Sequence, residues 1–161
     1  MLPSRWQRFI KNFNHLTLMG KRRSSRELAL KFLYQSELNK GNIDEQMKLF
    51  LKRNSSQEEV ETFMLELVKS ILKQINEIDE IIQKFSDNWV LDRMTVIDRN
   101  ILRMGTCELL FSFSTPPKVA INEAVDIAKK YGNEDSPEFI NGILDKIYKE
   151  IGQKGPLPFT I

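Results

Sequence analysis

The chain has 161 residues, of which 41% are apolar and 29% are charged, and its formal net charge is +2. This length predicts one globular domain, and the absence of any apolar run near the roughly 18 residues that cross a bilayer excludes a membrane-spanning protein. The single cysteine, Cys107, excludes an internal disulfide framework and fits a reducing compartment, so we expect a cytoplasmic protein. The single histidine, His15, excludes a structural zinc site built from histidine and cysteine.

Charge is unevenly distributed along the chain. Residues 1–26 contain several arginines and lysines and no acid, whereas acids outnumber cations in the remainder. A basic arm of this kind favours an anionic partner, although cationic N-termini that are only solvated are also common. The cations next to the first predicted helix are Lys21, Arg22, Arg23 and Arg26.

The first 18 residues differ from the rest of the sequence. They are basic, free of acids and loosely amphipathic, which is typical of an organellar transit peptide or of a surface-binding basic helix. We favour a third interpretation, in which residues 1–18 are disordered or come from an upstream start and Met19 is the working initiator. The predicted domain then covers residues 19–151, and the Gly/Pro-rich residues 152–161 form a flexible tail.

Helical periodicity begins at residue 25, and no strand alternation is present. The first predicted helix covers residues 25–39 and the second residues 44–53. Ser56 and Glu59 have the spacing of a capping box and open a run of apolar residues that reaches Phe85. This run exceeds the average helix, so we expect a bend or break within it.

Three further helices and a short helical turn near residues 90–94 are predicted, which gives an all-α fold of about seven helices. They cover residues 96–113, residues 118–131 and a last segment opened by Asp135 or Ser136. Gly132 is suited to end the second of them in a left-handed conformation. Gly142 lies inside the last one, where glycine costs about 1 kcal/mol relative to alanine, so we expect another part of the molecule to approach its backbone.

Motifs of enzymatic chemistry are missing from the sequence. It contains neither a phosphate-binding G-x-x-x-x-G-K-[ST] loop nor a G-x-G-x-x-G turn. Cys107 lies among apolar neighbours in a predicted helix and is interpreted as a core residue rather than a nucleophile. We therefore predict no catalytic residue, no metal site and no cofactor.

Two segments have the residue types that bind RNA. Arg22, Arg23 and Arg26 can form bidentate contacts with phosphates in front of a helix N-terminus, and Lys21 adds a point charge. Residues 129–142 combine cations with aromatic side chains that could stack on bases and polar ones that could contact base edges. Taken alone, this second segment is better explained by helix caps and core aromatics than by RNA binding.

Three segments together resemble the NusB family of bacterial transcription antitermination factors. They are RRSSRELALKFLYQSEL (residues 22–38), RNILRMGTCELL (residues 99–110) and KVAINEAVDIAKKYGNEDSPEFINGILDKI (residues 118–147), and they occur in the family's order. The resemblance implies two antiparallel three-helix bundles and no enzymatic activity. It also implies binding to boxA-type single-stranded RNA, to the ribosomal small-subunit protein NusE and to the RNA polymerase antitermination complex.

The resemblance also assigns roles to individual residues. It places RNA contacts at the arginine-rich start and at a second patch, and it places Asp98 on the surface that faces NusE, with Glu108 on the same helix. The predicted RNA-binding residues are Lys21, Arg22, Arg23, Arg26, Lys118, Tyr131, Glu134, Asp135, Ser136, Phe139 and Asn141. This sequence departs from the pattern at Glu138, where many relatives are basic, and at Pro117, where they are often aromatic.

Two other classes of function were weighed against this one. A NusB-like domain also precedes the catalytic domain of some RNA methyltransferases, but the sequence leaves no room for such a domain after residue 150. A homodimeric protein-interaction module with little RNA binding is the second alternative, and salt-dependent RNA binding would count against it.

Overall fold

The structure is a computed structural model that describes the backbone of residues 4–112 and 114–154 and the side chains of residues 20–112 and 114–154. These residues form seven α-helices and two short 3₁₀ turns, which are joined by loops. The 3₁₀ turns are Leu91–Arg93 and Gly152–Lys154. The helices are α1 (Ser4–Leu38), α2 (Ile43–Arg53), α3 (Glu58–Lys73), α4 (Ile75–Phe85), α5 (Val96–Phe111), α6 (Pro117–Tyr131) and α7 (Ser136–Glu150).

The predicted all-α class is confirmed, and the predicted break in the long apolar run falls at Gln74, between α3 and α4. Helix α1 begins at Ser4 instead of residue 25, so the backbone of most of the basic extension is helical here rather than disordered. A working start at Met19 stays a prediction. Most of the tail that was predicted to be flexible, residues 155–161, lies outside the described residues.

Helix α5 is the centre of the molecule. It packs against α1 and α3 on one side and against α4, α6 and α7 on the other. Every residue from Asn100 to Phe111 is buried, as expected for a helix that is surrounded by others. The charged side chains in this stretch, Arg103 and Glu108, both form ion pairs inside the protein, as expected because an unpaired buried charge is costly.

Two predicted helix ends are wrong in detail. The N-cap of α3 is Gln57, which makes no side-chain capping bond, and the backbone N–H of Ser56 instead donates to Oε1 of Glu61 at 3.0 Å. Gly132 ends α6 with a φ of −88°, which is not left-handed. Glycine is required there for space, because an added Cβ would lie 2.6 Å from the Cβ of Ser136.

The prediction for Gly142 is also wrong, because nothing lies within 4 Å of a Cβ built at that position. The close approach occurs at Gly105 in the central helix, where an added Cβ would lie 2.7 Å from Cδ1 of Leu144. Gly105 therefore allows α5 and α7 to pack closely. None of the helices in the described part of the chain combines the length and the apolar character needed to cross a bilayer.

Candidate nucleic-acid interface

The arginine-rich start of the predicted domain lies within α1, where that helix passes α3. Nζ of Lys21 is 3.7 Å from Oε1 of Glu59, a surface pair of the kind that contributes little stability. The guanidinium of Arg22 lies over the ring of Phe63, with Cζ 4.6 Å from the ring centroid, and Nη1 donates to Oγ of Ser114 at 3.4 Å. Arg22 thus has its charge held in place by an aromatic ring and a hydroxyl.

Arg23 faces α6 and forms ion pairs with two carboxylates. Its Nε and Nη2 donate to Glu123 at 2.9 Å each, and Nη2 also donates to Oδ2 of Asp126 at 3.0 Å. The hydrogen bonds that Arg23 donates to Glu123 raise the pKa of Arg23 above its ordinary value. The Arg23 side chain is 47% exposed, so a phosphate could reach it, but only in competition with these acids.

Arg26 differs from its neighbours because it is buried. It forms an ion pair with Glu108 of α5 in which each side chain is 3% exposed, and Oγ1 of Thr115 donates a further hydrogen bond to Glu108. The second guanidinium nitrogen lies 3.8 Å from Oε2 of Glu123. This arrangement disagrees with the predicted RNA contact by Arg26 and with the predicted partner contact by Glu108, since neither side chain reaches the surface.

Ion pairs between long side chains link α1 to α6 and connect the arginine-rich start to the second predicted patch. Arg23 pairs with Asp126, and one turn further along Nζ of Lys130 donates to Oε1 of Glu27 at 2.9 Å. Lys118, in the first turn of α6, is exposed and has no ion pair among the described residues. The length of α6 separates Lys118 from Tyr131 by about 20 Å, at 1.5 Å per residue.

The second patch is the turn between α6 and α7, which we call the helix corner and define as residues 131–141. Glu134, Asp135 and Asn141 are exposed, whereas Phe139 is partly buried. Ser136 is only 2% exposed, and its Oγ accepts a hydrogen bond from the backbone N–H of Asn133 at 2.9 Å. Ser136 therefore shapes the corner and does not present its hydroxyl to a ligand.

A cleft of about 270 Å³ opens between the helix corner and the start of α5. The predicted residues Asp135, Ser136 and Phe139 line it, together with Asp98, which had been assigned to a partner surface. Asp98 is 9% exposed, and its Oδ1 has no hydrogen-bond partner among the residues that the structure describes. The remaining lining residues, none of them predicted, are Trp89, Arg93, Met94, Thr95 and Asn133.

Trp89 is the most notable residue that the sequence analysis missed. Its side chain is 60% exposed, and its ring meets that of Phe139 edge to face with centroids 5.6 Å apart. A tryptophan that follows the polar stretch SDN, between two helices, could have been recognised as a surface aromatic. Its distance along the chain from Phe139 concealed the pairing.

A second, larger groove of about 450 Å³ lies between the C-terminal half of α1, Ile97 and Tyr131. Tyr34 and Leu38 line it and are 41% and 62% exposed. Tyr131 thus faces this groove, while Phe139 faces the cleft, so the structure separates two aromatics that had been predicted to act together. Exposed apolar side chains around a groove are typical of a surface that binds protein.

The described residues contain one cysteine, which is buried, and no metal-binding cluster. No group of three or more histidine, cysteine or acidic side chains there is arranged to hold a metal ion. Burial raises the pKa of Cys107 to about 12, and its Sγ lies 3.3 Å from Oγ of Ser70. The thiol stays protonated near neutral pH, which agrees with the prediction of a core cysteine.

Comparison with known proteins gives one consistent result. A sequence model of the NusB family matches residues 23–149. A transcription antitermination protein NusB from Desulforapulum autotrophicum is 44% identical over 131 residues, which are 80% of this chain and 92% of that protein. One from Chloroherpeton thalassium is 40% identical over 137 residues, or 84% of this chain, and the match spans only 65% of that protein's length.

Solved structures agree with the sequence comparison. The fold is similar to that of T. maritima NusB, with a TM-score of 0.74 and 36% identity, over 83% of this chain and 94% of the other. It is equally similar, with a TM-score of 0.74 and 34% identity, to a chain from a complex of the antitermination factors NusB and NusE with double-stranded RNA. That match covers 82% of this chain and 98% of the other.

Proposed function

The chain belongs to the NusB family, and from that membership we propose that it is an RNA-binding adaptor of transcription antitermination, not an enzyme. It binds boxA-type single-stranded RNA together with NusE and brings both to the RNA polymerase antitermination complex. The observation that carries this proposal is the row of ion pairs between α1 and α6, which runs from Arg23 and Asp126 to Glu27 and Lys130, next to the helix corner.

Phosphate contacts provide most of the affinity in this proposal. Lys21, Arg22 and Lys118 are the best placed cations, since Lys21 has only a long surface ion pair and the other two have none among the described residues. Arg23 joins them by exchanging Asp126 for a phosphate. Arg26 acts indirectly, because its ion pair with Glu108 fixes the helix turn that presents Arg22 and Arg23.

Base contacts at the helix corner provide the sequence preference. Glu134 and Asp135 are exposed acids that would repel phosphate, so their role is to accept hydrogen bonds from base edges. Phe139 supplies an aromatic surface beside them. The arginine-rich start of the interface is positively charged, and Glu134 and Asp135 make the helix corner negatively charged. This difference in charge orients an RNA strand, with its backbone toward α1 and its unstacked bases toward the helix corner.

The groove between α1, Ile97 and Tyr131 is the proposed contact surface for NusE. It is apolar, large and lined by exposed Tyr34 and Leu38, and it lies beside the helix that carries Asp98. A Leu38→Glu substitution should abolish NusE binding and leave RNA binding by the isolated protein unchanged. Normal NusE binding by that variant would place the partner elsewhere.

Fluorescence anisotropy of a labelled boxA-type RNA tests the whole proposal. Titrations are run with and without NusE, on the 161-residue chain and on a chain that starts at Met19, between 50 and 300 mM salt. We expect binding that strengthens with NusE and weakens steeply with salt, equally in both chains. Absence of RNA binding under all conditions, with a dimeric mass in solution, would favour the homodimeric interaction module instead.

A further inference from the structure

The cleft between Trp89, Phe139 and Asp98 has the chemistry of a receptor for a single nucleobase. We propose that it captures one unstacked RNA base that bears an exocyclic amino group. Trp89 stacks on the base, and the Asp98 carboxylate accepts hydrogen bonds from its amino edge. This inference rests on the proposed RNA-binding function and names the group that would read one position of the sequence.

Hydrogen bonds fix the backbone of Trp89 before any ligand is bound. Its backbone N–H donates to the carbonyl of Ser86 at 3.0 Å, and its own carbonyl accepts from Nε2 of Gln83 at 2.8 Å and from Oγ of Ser86 at 2.9 Å. Phe139 supports the ring edge to face. An aromatic side chain that is 60% exposed, on a fixed backbone and in contact with Phe139, can stack on a base.

Asp98 lacks the partner that a buried carboxylate requires. Its own backbone N–H is capped by Oγ1 of Thr95 at 3.1 Å, but the carboxylate oxygen Oδ1 is buried without a hydrogen bond from any side chain or backbone group in the described part of the chain. Leaving such a group unsatisfied costs about 1–3 kcal/mol, which a donor entering the cleft would offset. The side chain is 9% exposed and lines the cleft, so this proposal places the donor group against the Asp98 carboxylate.

The charges around the cleft favour a base over a phosphate or a cationic side chain. Asp98 and Asp135 both line it and would repel a phosphate inside. Arg93 also lines it and is exposed, without an ion pair among the described residues, so it offsets part of the attraction of the two acids for a lysine or arginine of a protein partner. The guanidinium of Arg93 can bind the phosphate of a nucleotide whose uncharged base enters the cleft.

The carboxylate also selects among bases. An ionised carboxylate only accepts hydrogen bonds, so it favours the amino groups of cytosine, adenine and guanine. Uracil has no amino group and would place a carbonyl oxygen close to Asp98. We therefore expect one position of the bound RNA at which uridine is rejected.

The test uses the whole chain with Trp6→Phe, which leaves Trp89 as the sole tryptophan. The probes are a boxA-type RNA dodecamer and derivatives in which one amino-bearing base at a time is replaced by uridine. RNA should quench the Trp89 fluorescence, and Trp89→Ala should weaken binding roughly tenfold, whereas Trp89→Phe should stay close to the parent. Leu49→Ala, an exposed aliphatic side chain on α2, is the matched control.

Asp98→Asn provides the second readout. In the parent protein, uridine at one position should weaken binding about tenfold, and in Asp98→Asn that penalty should disappear while the penalties at other positions stay. Circular dichroism melting confirms that each variant is folded.

Three results would overturn the inference or its basis. RNA binding without quenching, and unaffected by Trp89→Ala, would remove the cleft from the RNA site and leave the proposed function standing. Loss of NusE binding with normal RNA binding in the Trp89 and Asp98 variants would assign the cleft to the protein partner. No RNA binding by the parent protein, even with NusE at low salt, would overturn the proposed function itself.

Discussion

Arg26 and Glu108 form an ion pair in the interior of the protein, with Nη2 and Oε1 2.7 Å apart and each side chain 3% exposed. The pair joins α1 to the central helix α5, and Thr115 from the loop before α6 adds a hydrogen bond. Three segments that carry the candidate interface therefore meet at one buried carboxylate. In the basic sequence RRSSR, Arg22 and Arg23 are therefore available to a ligand, whereas Arg26 stabilises the fold.

Removal of one partner of this pair should destabilise the protein strongly. Arg26→Ala leaves a buried carboxylate uncompensated, and we expect the free energy of unfolding to fall by about 3–5 kcal/mol. The double variant Arg26→Met/Glu108→Leu should recover most of this loss, since two apolar side chains can fill the same space. Urea unfolding measures both, with Lys21→Ala as the surface control; equal stability of Arg26→Ala and Lys21→Ala would contradict the buried role.

The exposed cations should control the salt dependence of RNA binding. Lys21→Ala and Arg22→Ala should each reduce the slope of log K against log salt by about 0.7, the value for one phosphate contact with a single strand. Lys48→Ala and Lys52→Ala on α2 remove the same charge outside the proposed interface. Similar slopes for all four variants would show that net charge alone, and no specific contact, drives the binding.

Replacement of two helical glycines by alanine should change the stability of the protein in opposite directions. Gly105→Ala places a Cβ 2.7 Å from Cδ1 of the fully buried Leu144, so we expect a loss of about 1–3 kcal/mol from overpacking. Gly142→Ala meets open space and should stabilise the protein by up to about 1 kcal/mol through helix propensity. Thermal unfolding of the two single variants is sufficient, and a stabilised Gly105→Ala would disprove the close α5–α7 contact.

Acid stability should depend on Glu37. Burial alone would raise the pKa of Glu37, but hydrogen bonds from Arg99 and Arg103 outweigh it and hold the pKa below the ordinary value of 4.5. The unfolded chain therefore binds a proton more readily, so the stabilisation by Glu37 is present above pH 4.5 and is lost as the pH falls through the lowered pKa.

The Glu37→Gln variant isolates this effect. The stability difference between the parent and Glu37→Gln should be greatest near pH 7 and should shrink below about pH 4.5. Urea unfolding between pH 7 and pH 3 measures it, and other carboxylates affect both proteins alike. A difference that is independent of pH would show that the two arginines do not favour the ionised form of Glu37.

Local sequence information was sufficient for the helices themselves. The apolar steps of three and four residues and the prolines at the start of α6 act within a few residues, so they can be recognised without the fold. The same holds for the basic character of residues 21–26. The length of the apolar run predicted a break, but only the structure gives its position at Gln74. Helix ends were less predictable from the sequence. Several local conformations were possible at Ser56 and Gly132, and contacts with neighbouring side chains decided between them.

The accessibility of each charged or aromatic side chain depended on tertiary structure. Arg22 and Arg26 look alike in the sequence, and only the positions of Phe63 and Glu108 make one a surface cation and the other a buried ion pair. The cleft has the same origin, since Trp89, Asp98 and Phe139 come from three separate segments. The sequence by itself determined the all-α class and the presence of an RNA-binding type of segment, because both follow from residues close together in the chain. The tertiary structure alone decided which residues can reach a ligand, because burial and pairing depend on contacts between residues far apart in the chain.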